Sequence, residues 1–158
     1  MRRIEIAPED PHSLDASIML QELSQCLQAI TGDSGEGSFH MDDVCGPRSI
    51  FVLARNEKGL PVGCGALRPL EGSIAEIKRM YAQEKSSGLG RQMLCYLEKQ
   101  AVAMEYDTIW LETRKINQKA VDFYLKNGYQ IIPNFGRYIG RPEAVCFEKK
   151  LIAIRNEK

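Results

Sequence analysis

Between residues 73 and 113 the apolar residues change their spacing twice, and these changes limit the fold more than any other feature of the chain. Residues 73–81 (SIAEIKRMY) read as a strand. Beyond Gly88 and Gly90, the residues Leu89, Met93, Leu97, Ala101 and Met104 fall on one face of a helix. Residues 108–113 (TIWLET) are β-branched and aromatic, which suits a strand again. A strand, a crossover helix and a second strand make a right-handed parallel unit.

Other elements arrange themselves around that unit. Residues 3–6 read as a short strand. Asp10-Pro11 predicts a helix start, and Ala16, Met19, Leu20, Leu23, Leu27 and Ile30 mark its apolar face up to a stop at Gly32. Residues 32–46 (GDSGEGSFHMDDVCG) have no period and predict a long loop with at most one helical turn, of a length that is usually functional or disordered. Residues 49–55 and 61–68, joined through Asn56-Glu57-Lys58-Gly59, predict a hairpin. Asn117 predicts the cap of a helix over 118–126, closed by Asn127-Gly128, and residues 129–132 and 144–149 predict the last strands. The order predicts an α/β (α+β) chain with a mixed sheet and helices on both sides. The 158 residues, with no repeat or linker, suit one domain spanning 1–158.

Composition narrows the function. Lys plus Arg number 21 and Asp plus Glu number 21, so no global charge draws the chain to nucleic acid or to a membrane surface. No apolar run is long enough to span a bilayer, and the start, Met-Arg-Arg-Ile-Glu-Ile, lacks the apolar core of a signal peptide. Five scattered cysteines without a CxxC pair suggest reduced thiols in a cytoplasm. With only His12 and His40, no metal site is expected. A Cys–His nucleophile is disfavoured, because nothing ties Cys95, inside the Gly88 helix, to His40.

The chemistry concentrates at Lys85, Ser86, Ser87, Gly88, Leu89, Gly90 and Arg91. A helix start leaves about four backbone N–H groups unpaired, backed by roughly half a positive charge. Glycine keeps side chains out of the way, so this junction can cradle a pyrophosphate. A tight turn that simply needs two glycines fits the same fragment. No GxxxxGK[ST] occurs, and the third glycine of a dinucleotide fingerprint is missing.

Taken together, three segments resemble the GNAT superfamily of N-acetyltransferases. The family's Q/R-x-x-G-x-G/A junction is seen as Lys85 to Gly90, with Lys85 at the opening position and Ser87 where Arg is usual. AEIKRMY, ending at Tyr81, looks like the fourth strand. Asn117, Ala120, Tyr124, Gly128 and Tyr129 match its N-x-x-A-x-x-F/Y-Y-x-x-x-G-F/Y segment. The resemblance implies a GNAT-like mixed, mostly antiparallel sheet of about seven strands, splayed after the fourth, with helices on both faces. It implies acetyl-CoA as cosubstrate. Backbone groups of Met80 and Tyr81 would pair with the pantetheine arm, the junction would hold pyrophosphate, and Asn117 and Lys119 would lie near the cofactor. Dimers are common in the family, and no stretch here specifies one.

Direct attack of an amine on the thioester needs a base and an acid. The resemblance points to Glu76, on the fourth strand, as base and to Tyr124 as the acid that protonates the thiolate. An ion pair is the plainer reading of Glu76, and core packing that of Tyr124. The acceptor stays open. Asp33, Glu36, Asp42 and Asp43 make the 32–46 loop acidic and suit a cationic amine, whereas Arg68, Arg79 and Arg137 suit a carboxylate-bearing one. Strand alternation sets Glu76 and Lys78 on one face and Ile77 and Arg79 on the other. A loop holding Phe135, Arg137 and Tyr138 could close over the acceptor. A catalytically silent acyl-CoA-binding module would carry the same motifs, and thiol release with an amine separates the two.

Overall fold

The computed structural model describes residues 3–83 and 88–151. Seven strands, β1 (Glu5–Pro8), β2 (Ile50–Arg55), β3 (Pro61–Glu71), β4 (Ile74–Ala82), β5 (Thr108–Arg114), β6 (Gln130–Ile132) and β7 (Ala144–Lys150), form one sheet in the order β1-β2-β3-β4-β5-β7-β6. Every neighbouring pair is antiparallel except β4 and β5. The helices are α1 (Leu14–Thr31), α2 (Leu89–Ala103) and α3 (Gln118–Lys126).

The parallel crossover through α2 forms as the changing periods predict. It also holds the main irregularity. β4 and β5 pair only at Ile74–Thr108, Ala75–Ile109 and Glu76–Trp110. Beyond that point β4 runs on beside β3 and β5 runs on beside β7, and the two part. This is the splay after the fourth strand that the resemblance implied.

Alternation sends side chains to two layers. Val52, Ala54, Leu67, Ile77, Ile109, Leu111 and Phe147 meet α2 and α3 on one face. Phe51, Leu53, Cys64 and Ala66 meet α1 on the other. Beside that second layer, Phe135, Tyr138, Ala144 and Cys146 pack with Trp110. β3 contributes two glycines where α2 comes closest. A Cβ at Gly63 would lie 2.7 Å from Met93 Sδ and 2.8 Å from the Tyr81 carbonyl oxygen, and one at Gly65 would lie 2.9 Å from Met80 Sδ.

Local sequence signals decide the helix ends, with one correction. α1 starts at Leu14, not at Pro11. Asp10 spends its carboxylate on the His12 backbone N–H at 2.9 Å, and Ser13 is the cap, accepting the Ala16 N–H at 3.1 Å. Gly32 ends α1 in the left-handed conformation, as expected. Asn117 caps α3 by accepting the Ala120 N–H. The 32–46 loop holds two 3-10 turns, Glu36–Ser38 and Met41–Val44, rather than one.

Candidate active site

The parting of β4 and β5 opens a cleft. β4 contributes Glu76, Lys78, Arg79 and Met80, and β5 contributes Leu111, Glu112 and Arg114. Asn117 and Tyr124 come from α3, Leu23 and Leu27 from α1, and Asp33 and Ser38 from the 32–46 loop. Arg137, Tyr138 and Arg141 come from the connection between β6 and β7.

A β-bulge shapes the β4 wall. Cys64 pairs with Tyr81 but Ala66 pairs with Lys78, so β4 holds one residue more than β3 there. Arg79 takes the strain with a φ of 55°. The bulge breaks simple alternation, and Lys78 and Arg79 both turn to the α1 side. The Arg79 guanidinium donates to the Leu20 carbonyl and the Ser24 hydroxyl of α1 and to the Ser34 carbonyl. The expected opposition of Lys78 and Arg79 is therefore wrong, and Arg79 braces the wall.

Glu76 lies on the cleft face but is only 3% exposed. Arg68 Nη1 donates to its Oε1 at 3.0 Å, and Lys78 Nζ lies 3.7 Å from its Oε2. Arg68 also faces Asp43 at 3.7 Å. Arg68 sits behind Glu76 rather than in the cleft lining, and Glu36 is exposed outside it. Tyr138 does enter the cleft, where its hydroxyl accepts a hydrogen bond from Lys78 Nζ at 3.2 Å.

Glu112 escaped the sequence reading. It faces the cleft from β5, two residues beyond the last β4–β5 pair. Its Oε2 is buried and accepts no hydrogen bond among the described residues. The nearest cation is Arg114 Nε at 3.7 Å, and Arg114 is shared with Asp33 at 3.0 Å and Glu143 at 3.5 Å. Burial outweighs Arg114 and raises the Glu112 carboxyl from its ordinary 4.5 to about 6. The only sequence signal was its place in the alternation of TIWLET, opposite Leu111.

Tyr124 lies on the α3 wall. Its ring packs against Phe123, Tyr129 and Phe147. No hydrogen bond engages its hydroxyl among the described residues, and burial raises the phenol above its ordinary range. Tyr124 thus belongs to the core, as its plainer reading has it, and also lines the cleft.

Lys85, Ser86 and Ser87 lie outside the described residues. The remainder of the junction opens α2. Gly88 is left-handed at φ 78°, and no side chain among the described residues caps this end. A Cβ at Gly88 would meet open space, whereas one at Gly90 would rest 3.4 Å from the Phe123 ring. Gly88 thus sets no side chain over the start of α2, and Gly90 lets α3 approach. Gly88 and Arg91 also border a shallow depression with Tyr96 and Lys99. Met80 lines the cleft, while Tyr81 packs toward α1 and donates its hydroxyl to Glu22 at 3.0 Å. Lys119 is exposed on the first turn of α3, outside the cleft lining.

Comparison with known proteins agrees with this architecture. The sequence profile of the acetyltransferase (GNAT) family matches residues 17–129. An IAA acetyltransferase of Azospirillum brasilense is 29% identical over 154 residues, which covers 96% of this chain and 100% of that protein. The crystal structure of a GNAT-family acetyltransferase of Staphylococcus aureus superposes with a TM-score of 0.76 at 19% identity, covering 94% of this chain and 99% of that one. A GNAT-family acetyltransferase of Elizabethkingia anophelis with acetyl-CoA bound superposes with a TM-score of 0.68 at 18% identity, covering 93% and 97%. At such identities the two structures speak to the fold, and the matched profile speaks to descent. The chain belongs to the acetyltransferase (GNAT) family and is an acetyl-CoA-dependent acetyltransferase.

Proposed function

We propose that the enzyme transfers the acetyl group of acetyl-CoA to a primary amine by direct attack within a ternary complex. The carrying observation is the separation of β4 from β5 beyond the Glu76–Trp110 pair, with Glu112 and Tyr124 on its walls. An extended pantetheine arm suits this gap because it can add to the free side of β4 as a strand would. The uncapped start of α2 suits the pyrophosphate, which accepts from backbone N–H groups. Asn117, on the α3 side, borders the same gap. The E. anophelis relative holds acetyl-CoA, in keeping with this assignment.

In this reading the amine nitrogen bonds to the thioester carbon, and the backbone N–H of Met80 polarises the carbonyl. Attack makes the nitrogen strongly acidic, and Glu112 accepts its proton. Collapse breaks the C–S bond, and Tyr124 donates its phenolic proton to the leaving thiolate. Burial raises the phenol, so Tyr124 carries its proton at working pH. Glu112 suits the base role better than Glu76. A base needs a free lone pair and a pKa near the working pH. Glu112 combines a raised pKa with an Oε2 that accepts no hydrogen bond among the described residues and has Arg114 at 3.7 Å, whereas cations face both Glu76 oxygens and Arg68 hydrogen-bonds one of them. Glu76 instead anchors Lys78 and Arg68.

The test is thiol release from acetyl-CoA over a panel of primary amines, with mass spectrometry of the acetylated amine. Stoichiometric thiol and acetylamide are expected. Tight acetyl-CoA binding without thiol release for any amine would leave a silent binding module in its place.

A further inference from the structure

We propose that the acceptor is an amine that also carries a carboxylate, and that Arg137 and Arg141 hold that carboxylate at the mouth of the cleft. This deepens the transfer reading above and rests on it.

The inference comes from matching the charges that face the cleft. Its acids are Asp33, Glu76 and Glu112, and each already faces a cation. Asp33 is 3.0 Å from Arg114, Glu76 is 3.0 Å from Arg68, and Glu112 is 3.7 Å from Arg114. The acidity of the 32–46 loop is spent the same way or turned outward, with Asp43 on Arg68 and Glu36 outside the lining. Among the described residues, a cationic acceptor finds no acid in the cleft lining that lacks a cation.

The cations come out differently. Lys78 and Arg79 are tied to Glu76, Tyr138 and α1. Arg137 and Arg141 also line the cleft, yet both are exposed and neither has an acidic partner among the described residues. Among the described residues Arg137 is steadied by one hydrogen bond, from Nη1 to the Gly37 carbonyl at 2.8 Å, which leaves most of its guanidinium fork for a ligand. Its charge reaches the interior, where it acts on Lys78 and Tyr138. The segment bearing the pair is fixed in advance. Asn134 Nδ2 donates to the Tyr138 carbonyl at 3.1 Å and to the Arg141 carbonyl at 2.9 Å, and the Arg141 N–H donates to the Tyr138 carbonyl at 3.1 Å. Two planar forks on a braced loop match a carboxylate, which accepts two parallel N–H bonds. With the carboxylate there, the amine of the same molecule points inward toward Glu112. In the transfer reading above the donor's phosphates sit at the start of α2, which leaves these arginines to the acceptor.

Matched acceptors test this: free α-amino acids against the same compounds as carboxamides, with diamines as a third set. Turnover is read by thiol release, and binding to the CoA-loaded enzyme is read by calorimetry. The acid is expected to exceed its amide in kcat/KM by roughly 10–100-fold, the scale of a charge-assisted hydrogen-bond pair. R137A and R141A should each remove much of that ratio by raising the acceptor KM, with the acetyl-CoA KM unchanged. Amides or diamines that perform as well as the acids would overturn the proposal. So would an R137A variant whose acetyl-CoA KM rises instead, since that would make the arginine a phosphate ligand. If no amine of any set releases thiol while acetyl-CoA binds, the transfer reading fails separately. Calorimetry then decides the clamp: preference for the acid over its amide supports it, and no preference overturns it.

Discussion

Glu76 and Glu112 occupy the same face of the sheet on adjacent strands, but their partners give them different chemistry. Two cations meet Glu76, whereas Glu112 must share Arg114 with Asp33 and Glu143. Glu112→Gln should lower kcat/KM by roughly 10²–10⁴-fold and abolish the rise in rate that otherwise follows ionisation near pH 6. The same shift bears on stability. A carboxyl raised on folding ionises first in the unfolded chain, so wild-type stability falls as pH rises from about 4.5 to about 6. A shift of that size costs about 2 kcal/mol. Glu112→Gln should therefore flatten the stability curve over that interval, and urea melts at pH 4 and pH 7 measure it. Parallel curves would show that Glu112 is not held in the state argued for it. Tyr124→Phe keeps the ring contacts with Tyr129 and Phe147 and removes only a hydroxyl that no hydrogen bond engages among the described residues. It should cut kcat roughly 10²-fold or more while acetyl-CoA affinity holds. An unchanged kcat would remove Tyr124 as the acid.

Among the elements, β3 and β4 set the geometry that the reacting groups share. Gly63 is where this is most exposed to test. A methyl group there meets Met93 Sδ, which can move, and the Tyr81 carbonyl oxygen, which is fixed in β4. Gly63→Ala should cost about 1–3 kcal/mol by urea melt, and it should weaken acetyl-CoA binding because β4 shifts against β3. Gly46→Ala is the control, since nothing lies within 4 Å of its Cβ. A Gly63→Ala enzyme as stable as the control would refute the close approach. Glycine in a strand could be read from the sequence, as could the helix periods and the parallel crossover. The bulge could not. It depends on Arg79 accepting a positive φ in exchange for three acceptors on α1 and the following loop, a long-range contract that no local pattern carries. The insertion of β7 between β5 and β6 is likewise a matter of partner choice. Tyr124 was legible because its motif is contiguous. Glu112 was not, because what distinguishes it is a buried Oε2 that accepts no hydrogen bond among the described residues, which only three dimensions show.

At the scale of the whole molecule, the sheet is two sheets joined at a narrow seam. Strands β1 to β4 make one ladder and β5, β7 and β6 another, and among the described residues three register pairs join β4 to β5, extended by the Asp107 and Thr108 N–H groups on the Ser73 carbonyl. A seam that short should open at lower free energy than either ladder, because stability is spread unevenly over a fold. A ligand that adds a strand to the gap works directly on this weak point. Acetyl-CoA at about 100 times its Kd should stabilise the protein by about 2.7 kcal/mol, which raises Tm by roughly 5–10 °C for a chain of this size. Hydrogen exchange locates the effect. Amides of residues 77–82 and 111–114 should slow most on binding, followed by the first turn of α2, while β1 and β2 change little. The pattern matters more than the sum, since any bound ligand raises Tm. Protection centred on β6 and β7, with residues 77–82 unchanged, would mean that the thioester lies outside the seam. It would remove the ground for placing Glu112 and Tyr124 beside it.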